Sequence, residues 1–172
     1  SPNGIIGEKD ACGVGFVANV EGIESNWILK QSLKGLNCME HRGGCGGDSD
    51  SGDGAGILCS IPWGYLEEKI NLKNTQEFNR GLGMVFMPNK KEKIEICKSI
   101  CDEEAEKLKV NKTSWRTVPV NNEILGPLAK ANAPFICQWI LYIDKKDHKD
   151  VERLLFQLRK RIEKKIRETF KN

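Results

Sequence analysis

From residue 12 to residue 20 the chain alternates. Val14, Phe16, Ala18 and Val20 fall on one side, and Gly13, Gly15, Val17 and Asn19 on the other, the period of a strand with one heavier face. Glu21-Gly22 suits a turn, and Ser25 or Asn26 can cap the helix that follows. Leu29, Leu33, Leu36 and Met39 share one helical face, which predicts a helix ending near His41-Arg42-Gly43-Gly44. Residues 57–61 form a short apolar run that reads as a buried strand, and Pro62 then opens a helix to about Leu72. Residues 81–87 read as an apolar strand closed by Pro88. Over 90–109, Ile94, Cys97, Cys101, Ala105 and Leu108 mark one face of a helix. Residues 113–120 are rich in β-branched side chains, 126–134 look short and irregular or helical, and 135–143 form a strongly apolar strand. Val151, Leu154, Leu155, Leu158, Ile162 and Ile166 trace a last amphipathic helix. Residues 1–11 carry Pro2, Gly4 and Gly7 and predict no regular element. The mixture predicts an α/β domain with sheet and helices in layers.

Composition narrows the class. The chain has 172 residues, 39% hydrophobic and 30% charged, enough for one domain with a core. No apolar run approaches the length of a bilayer span, and the first residues lack the pattern of a secretory signal. The seven cysteines stand at 12, 38, 45, 59, 97, 101 and 137, and none forms a Cys-x-x-Cys pair. Reduced thiols in a cytosol-like compartment are the expectation. The net charge of +3 is uneven, because residues 144–172 carry +5 and leave −2 for the rest. Acids are interspersed among these bases, so the last helix reads as a solvated face rather than a nucleic-acid or membrane surface.

Several stretches invite chemistry. Residues 43–56 contain seven glycines in fourteen positions together with Asp48, Asp50 and Asp53. As a calcium loop starting at Asp48 the stretch fails, with Gly52 at position 5, Asp53 at position 6 and Cys59 at position 12. As a phosphate loop it lacks the lysine. What remains is a loop that can adopt positive φ and approach another group closely. Cys97 and Cys101 have a spacing that could put two thiolates on one metal, but both lie on an apolar helix face and read as small buried hydrophobes, as do Cys38, Cys59 and Cys137. Arg42 can hold a carboxylate or pin the loop. Asn111-Lys112-Thr113 matches a glycosylation acceptor, which has no meaning without a secretory route. The four tryptophans are scattered and read as core or edge packing. Cys12, at a strand tip beside Gly13, reads either as a nucleophile or as a buried small side chain, and the residues alone leave both open.

Three stretches taken together carry a resemblance. Asp10-Ala11-Cys12-Gly13-Val14-Gly15-Phe16, with Met39-Glu40-His41-Arg42-Gly43-Gly44 and Gly52-Asp53-Gly54-Ala55-Gly56-Ile57, resembles the start of glutamate synthase large chains. In that family this region is a class II glutamine amidotransferase domain of the N-terminal-nucleophile type. The resemblance runs from about residue 8 to the end of the chain. The family usually has alanine where this chain has Gly44. The resemblance implies an αββα sandwich, here incomplete at the C-terminus. It also implies a leader over residues 1–11 and the N-terminal part of the amidotransferase domain over 12–172. Cys12 would become residue one after cleavage, with its thiol as nucleophile and its own α-amine as base. Arg42, Gly43 and Asp53 would support the pocket, with Asp53 fixing the loop rather than moving protons. L-glutamine is the implied substrate, and the remaining synthase domains are the implied partners in ammonia assimilation. FMN and an iron–sulfur cluster would sit on later parts of the family's polypeptide, and this chain would hold no cofactor or metal.

Two further expectations follow from the resemblance. The family's oxyanion-hole Asn-Gly pair, and the arginine and aspartate that grip glutamine, lie downstream of the point matched by Asn172. The single Asn-Gly here is Asn3-Gly4. This stretch alone is therefore expected to be a poor catalyst. The expected location is cytoplasmic, or the plastid stroma in a photosynthetic eukaryote. Competing readings are a different N-terminal-nucleophile amidohydrolase and a non-catalytic α/β binding module using its basic last helix.

Overall fold

In the computed structural model, which describes residues 13–40, 43–44, 48, 50–71, 75, 77–144 and 147–171, the apolar run Phe135–Asp144 is the central strand (β3) of a three-stranded antiparallel sheet. Its neighbours are β1 (Phe78–Met87) and β2 (Lys112–Thr117), in the order β1-β3-β2. The β1 register runs from Phe78 opposite Asp144 to Met87 opposite Phe135, and Trp115 of β2 faces Trp139. Trp139 and Leu141 on one face of β3 and Ile140 and Tyr142 on the other are all buried, which is why it lacks clean alternation.

One sheet face carries Cys137, Trp139 and Leu141. Helices α3 (Lys91–Lys107) and α5 (His148–Thr169) close over it. Cys101 and Ala105 of α3 and Leu158 of α5 meet Trp139 and Leu141 there, while Ile94 and Cys97 meet Met87 and Cys137. The i, i+3, i+4 stripe read from the sequence is thus the buried face of α3. Helix α2 (Trp63–Lys69) buries Leu66. Arg80 and Arg116, from the opposite sheet face, reach it. Arg80 pairs with Glu67 at 2.8 Å and lies over the Trp63 ring at 4.8 Å, and Arg116 donates to the Tyr65 hydroxyl at 3.4 Å.

These elements form one unit, residues 61–120 and 133–172. A second unit combines residues 1–60 with 121–132. Within it, helix α1 (Asn26–Cys38) begins where the Ser25 hydroxyl accepts from the Ile28 amide. The turn before it forms as expected: the Asn19 side chain accepts from Glu21 N and Ile23 N, and Gly22 supplies a φ of +73°. The short helix α4 (Pro127–Ala131) follows a 3₁₀ turn at Asn122–Ile124, with proline at its first position.

Two expected strands are corrected. Residues 13–19 form no strand and Val20 enters the turn, with Val14, Phe16 and Val20 almost fully exposed. Residues 57–61 are likewise unpaired, and Leu58 is open to solvent. A strand needs a neighbour to take its N–H and C=O groups, and among the described residues neither segment has one. The same openness explains Cys38 and Cys59. Both are exposed rather than buried, because α1 has no fully buried residue and the 57–61 segment has no cover. Trp27, expected at a core or edge position, is largely exposed.

Candidate functional site

The glycine-rich loop follows α1, and it is fastened at its base and at its tip. At the base, Gly43 N donates to Glu40 O at 3.0 Å. Gly44 N donates to Asp53 Oδ2 at 3.0 Å, and Asp53 N returns to Gly44 O at 3.1 Å. A Cβ added at Gly44 would stand 2.5 Å from Asp53 Oδ2, so glycine here lets the carboxylate reach the amide. Gly54, with φ +97°, turns the chain out of the loop in a conformation that costs other residues strain.

At the tip, Asp48 and Ser51 form a small polar knot. Ser51 N donates to Asp48 Oδ1 at 2.8 Å, and the Ser51 hydroxyl donates to Asp48 Oδ2 at 2.7 Å. The start of α4 completes it: Leu128 N donates to Asp48 Oδ2 at 2.8 Å and Ala129 N to Ser51 Oγ at 3.0 Å. The Leu128 amide and the Ser51 hydroxyl hold the Asp48 carboxyl down at about 2, below its ordinary 3.8. Gly126 lies against the loop so closely that a Cβ would come within 2.6 Å of Asp50 C and Ser51 N.

Of the residues singled out from the sequence, Gly43 and Asp53 belong to this loop, while Cys12, His41, Arg42 and Cys45 lie outside the described residues. Among the described residues, a Cβ on Gly15 would lie 3.9 Å from Met39 Cε. Sequence reading missed Asp48, Ser51 and Gly126. The available signal was the Asp-x-x-Ser spacing of a side-chain-closed turn, and a Gly-Pro pair opening a helix that lacks a capping side chain.

The buried cysteines are a poor source of chemistry. Burial pushes the Cys101 thiol up to about 12, with Asp102 adding to it, and burial raises Cys97 as well. Among the described residues no group of three or more His, Cys, Asp or Glu could hold a metal ion. None of the described helices is long and apolar enough to cross a membrane.

The sequence profile of the class-II glutamine amidotransferases matches residues 12–172. The chain belongs to that family, whose nucleophile is N-terminal. It is similar to ferredoxin-dependent glutamate synthase 1 of Arabidopsis thaliana, at 40% identity over 166 residues, 94% of this chain and 10% of that one. To ferredoxin-dependent glutamate synthase 2 of Synechocystis sp. it is 41% identical over 170 residues, 96% of this chain and 11% of that one. To the rice chloroplastic ferredoxin-dependent enzyme it is 41% identical over 166 residues, 94% of this chain and 10% of that one. The chain spans about a tenth of the length of these relatives.

Proposed function

We propose that this chain carries the nucleophile of a glutaminase that feeds ammonia to a glutamate synthase, with Cys12 as the attacking residue once residues 1–11 are removed. The observation that carries the reading is the family match, whose first residue is Cys12. The Cys12 thiolate adds to the side-chain amide carbon of glutamine. The C–N bond breaks, ammonia leaves with the proton taken from the thiol, and a thioester remains. Water then cleaves the thioester to glutamate and restores the thiol. Arg42, Gly43 and Asp53 support the pocket: Asp53 closes the loop base on Gly44, and Arg42 offers a fork of donors suited to a carboxylate. The names of the relatives point to ferredoxin as the electron donor of the complete enzyme. FMN and an iron–sulfur cluster are assigned to other parts of that polypeptide.

The test is covalent labelling with a diazoketone analogue of glutamine, located by peptide mass spectrometry. One label on Cys12, protected by glutamine and lost in Cys12→Ala, is the expected result. A label on another cysteine, or none on a processed and active enzyme, overturns the assignment.

A further inference from the structure

We propose that Asp48 and Ser51 are positioning residues of the glutamine site, fastening the tip of the glycine-rich loop to the start of α4 so that Gly43 and Asp53 are held in place. This rests on the glutaminase reading and adds a second set of residues to it.

The argument begins with entropy. Half of the positions from 43 to 56 are glycine, the residue that loses most conformational freedom on folding. Such a loop keeps one shape only if something outside it holds it. The base closure between Gly44 and Asp53 is internal to the loop and ties it to nothing further along the chain. The tip contacts are of another kind, because they reach residues 80 and 78 positions further along the chain.

Each group at the tip is used fully. Asp48 accepts with both oxygens. The Ser51 hydroxyl donates to Asp48 while accepting from Ala129 N, a dual role that needs a hydroxyl. Ser51 is itself buried, so its loss leaves a shielded Ala129 amide without an acceptor. Gly126 sets how closely the two pieces approach, since any side chain there would press on the peptide bond between Asp50 and Ser51. Helix α4, five residues long, draws no capping bond from Gly126 and receives its cap from this loop. The fastening therefore orders both partners at once.

A loop released from α4 would spend only a fraction of its time in the form that binds glutamine. Apparent affinity then falls by that fraction, while the bound complex reacts as before. Three substitutions test this in the processed full-length enzyme: Asp48→Asn, Ser51→Ala and Gly126→Ala. The expected result is a KM for glutamine raised about tenfold or more, with kcat changed by less than about threefold, the split that a population penalty produces. Ser51→Thr keeps the hydroxyl and restores the wild-type KM. Alkylation of Cys12 by iodoacetamide, which needs no glutamine pocket, keeps its wild-type rate in all three variants.

Unchanged KM in Ser51→Ala and Gly126→Ala, with circular dichroism like the wild type, overturns the proposal. So does a fall in kcat at constant KM. Should Asp48→Asn fail to fold, Ser51→Ala removes a single hydroxyl and carries the same measurement. If the wild-type enzyme takes no label from the glutamine analogue at Cys12, the glutaminase reading itself has failed, a result visible before any loop variant is made.

Discussion

Asp102 on α3 accepts from three side-chain donors: the Thr113 hydroxyl at 2.8 Å, the Trp115 indole at 2.9 Å and the Trp139 indole at 3.1 Å. The two indoles stack, with centroids 5.4 Å apart and planes 18° from parallel. One carboxylate thus sets the rotamers of both rings and ties helix to sheet. Asp102→Leu keeps the branched outline, with methyl groups in place of the smaller oxygens, and strands three donors, so we expect a loss of about 2–4 kcal/mol, given ~1–3 per shielded unsatisfied group. Urea unfolding followed by tryptophan fluorescence measures it, and an unchanged midpoint would refute the role. Little of this is legible in the sequence. The tryptophans can be assigned to core or edge positions by type, but their shared acceptor lies 13 and 37 residues away with no local pattern. Asp48 and Ser51 are harder still, because their distant partners are backbone amides and every residue but proline has one. Gly44 is the reverse case. The resemblance flags it as a departure, and a Cβ there would make the Asp53 carboxylate shift from its place beside the Gly44 amide.

Among elements, the pairing of α3 with α5 shows where patterning succeeds. Both helices were readable because a 3.6-residue apolar stripe names the buried face directly, and β3 was readable because it is apolar on both sides. The segments at 13–20 and 57–61 show the limit. Periodicity states which face would be buried and says nothing about whether a neighbour is present to bury it. Across the α3–α5 seam, the buried Glu104 accepts from Lys107 and from Arg161 Nε, the latter at 2.7 Å. The Lys107 ammonium first, then Arg161, holds its carboxyl below the ordinary 4.5. Removing the inter-helix partner with Arg161→Met should cost about 1–2 kcal/mol near neutral pH, the lower range for a hydrogen bond to a charged group because the arginine is half exposed. The sign of the pH dependence follows. A depressed carboxyl contributes fully above its unfolded value of 4.5, and the contribution is lost as pH falls through the folded value. The gap between wild type and Arg161→Met should therefore close in chemical denaturation as pH drops below 4.5. A gap that widens on acidification would contradict it.

For the whole molecule, the proposed chemistry turns on one peptide bond, the one joining Ala11 to Cys12. A thiol with an ordinary pKa near ~8.5 is mostly protonated at neutral pH, while a free α-amine near ~7.7–8.0 is partly unprotonated and can take the proton. The nitrogen of an intact Ala11–Cys12 bond is an amide and has no such basicity. A polypeptide that keeps residues 1–11 should therefore release no ammonia from glutamine, and removal of those residues should switch activity on. Intact-mass measurement of the same sample used for the ammonia assay decides the matter, and turnover by a chain verified as uncut refutes the amine as base. The pH profile offers an independent check on the processed enzyme: kcat/KM should rise through about pH 8 as the amine loses its proton. Cys12→Ser keeps the amine and the geometry but replaces the thiol with a far weaker acid. It should retain the dependence on cleavage while losing most of the rate, which separates the contribution of the base from that of the nucleophile.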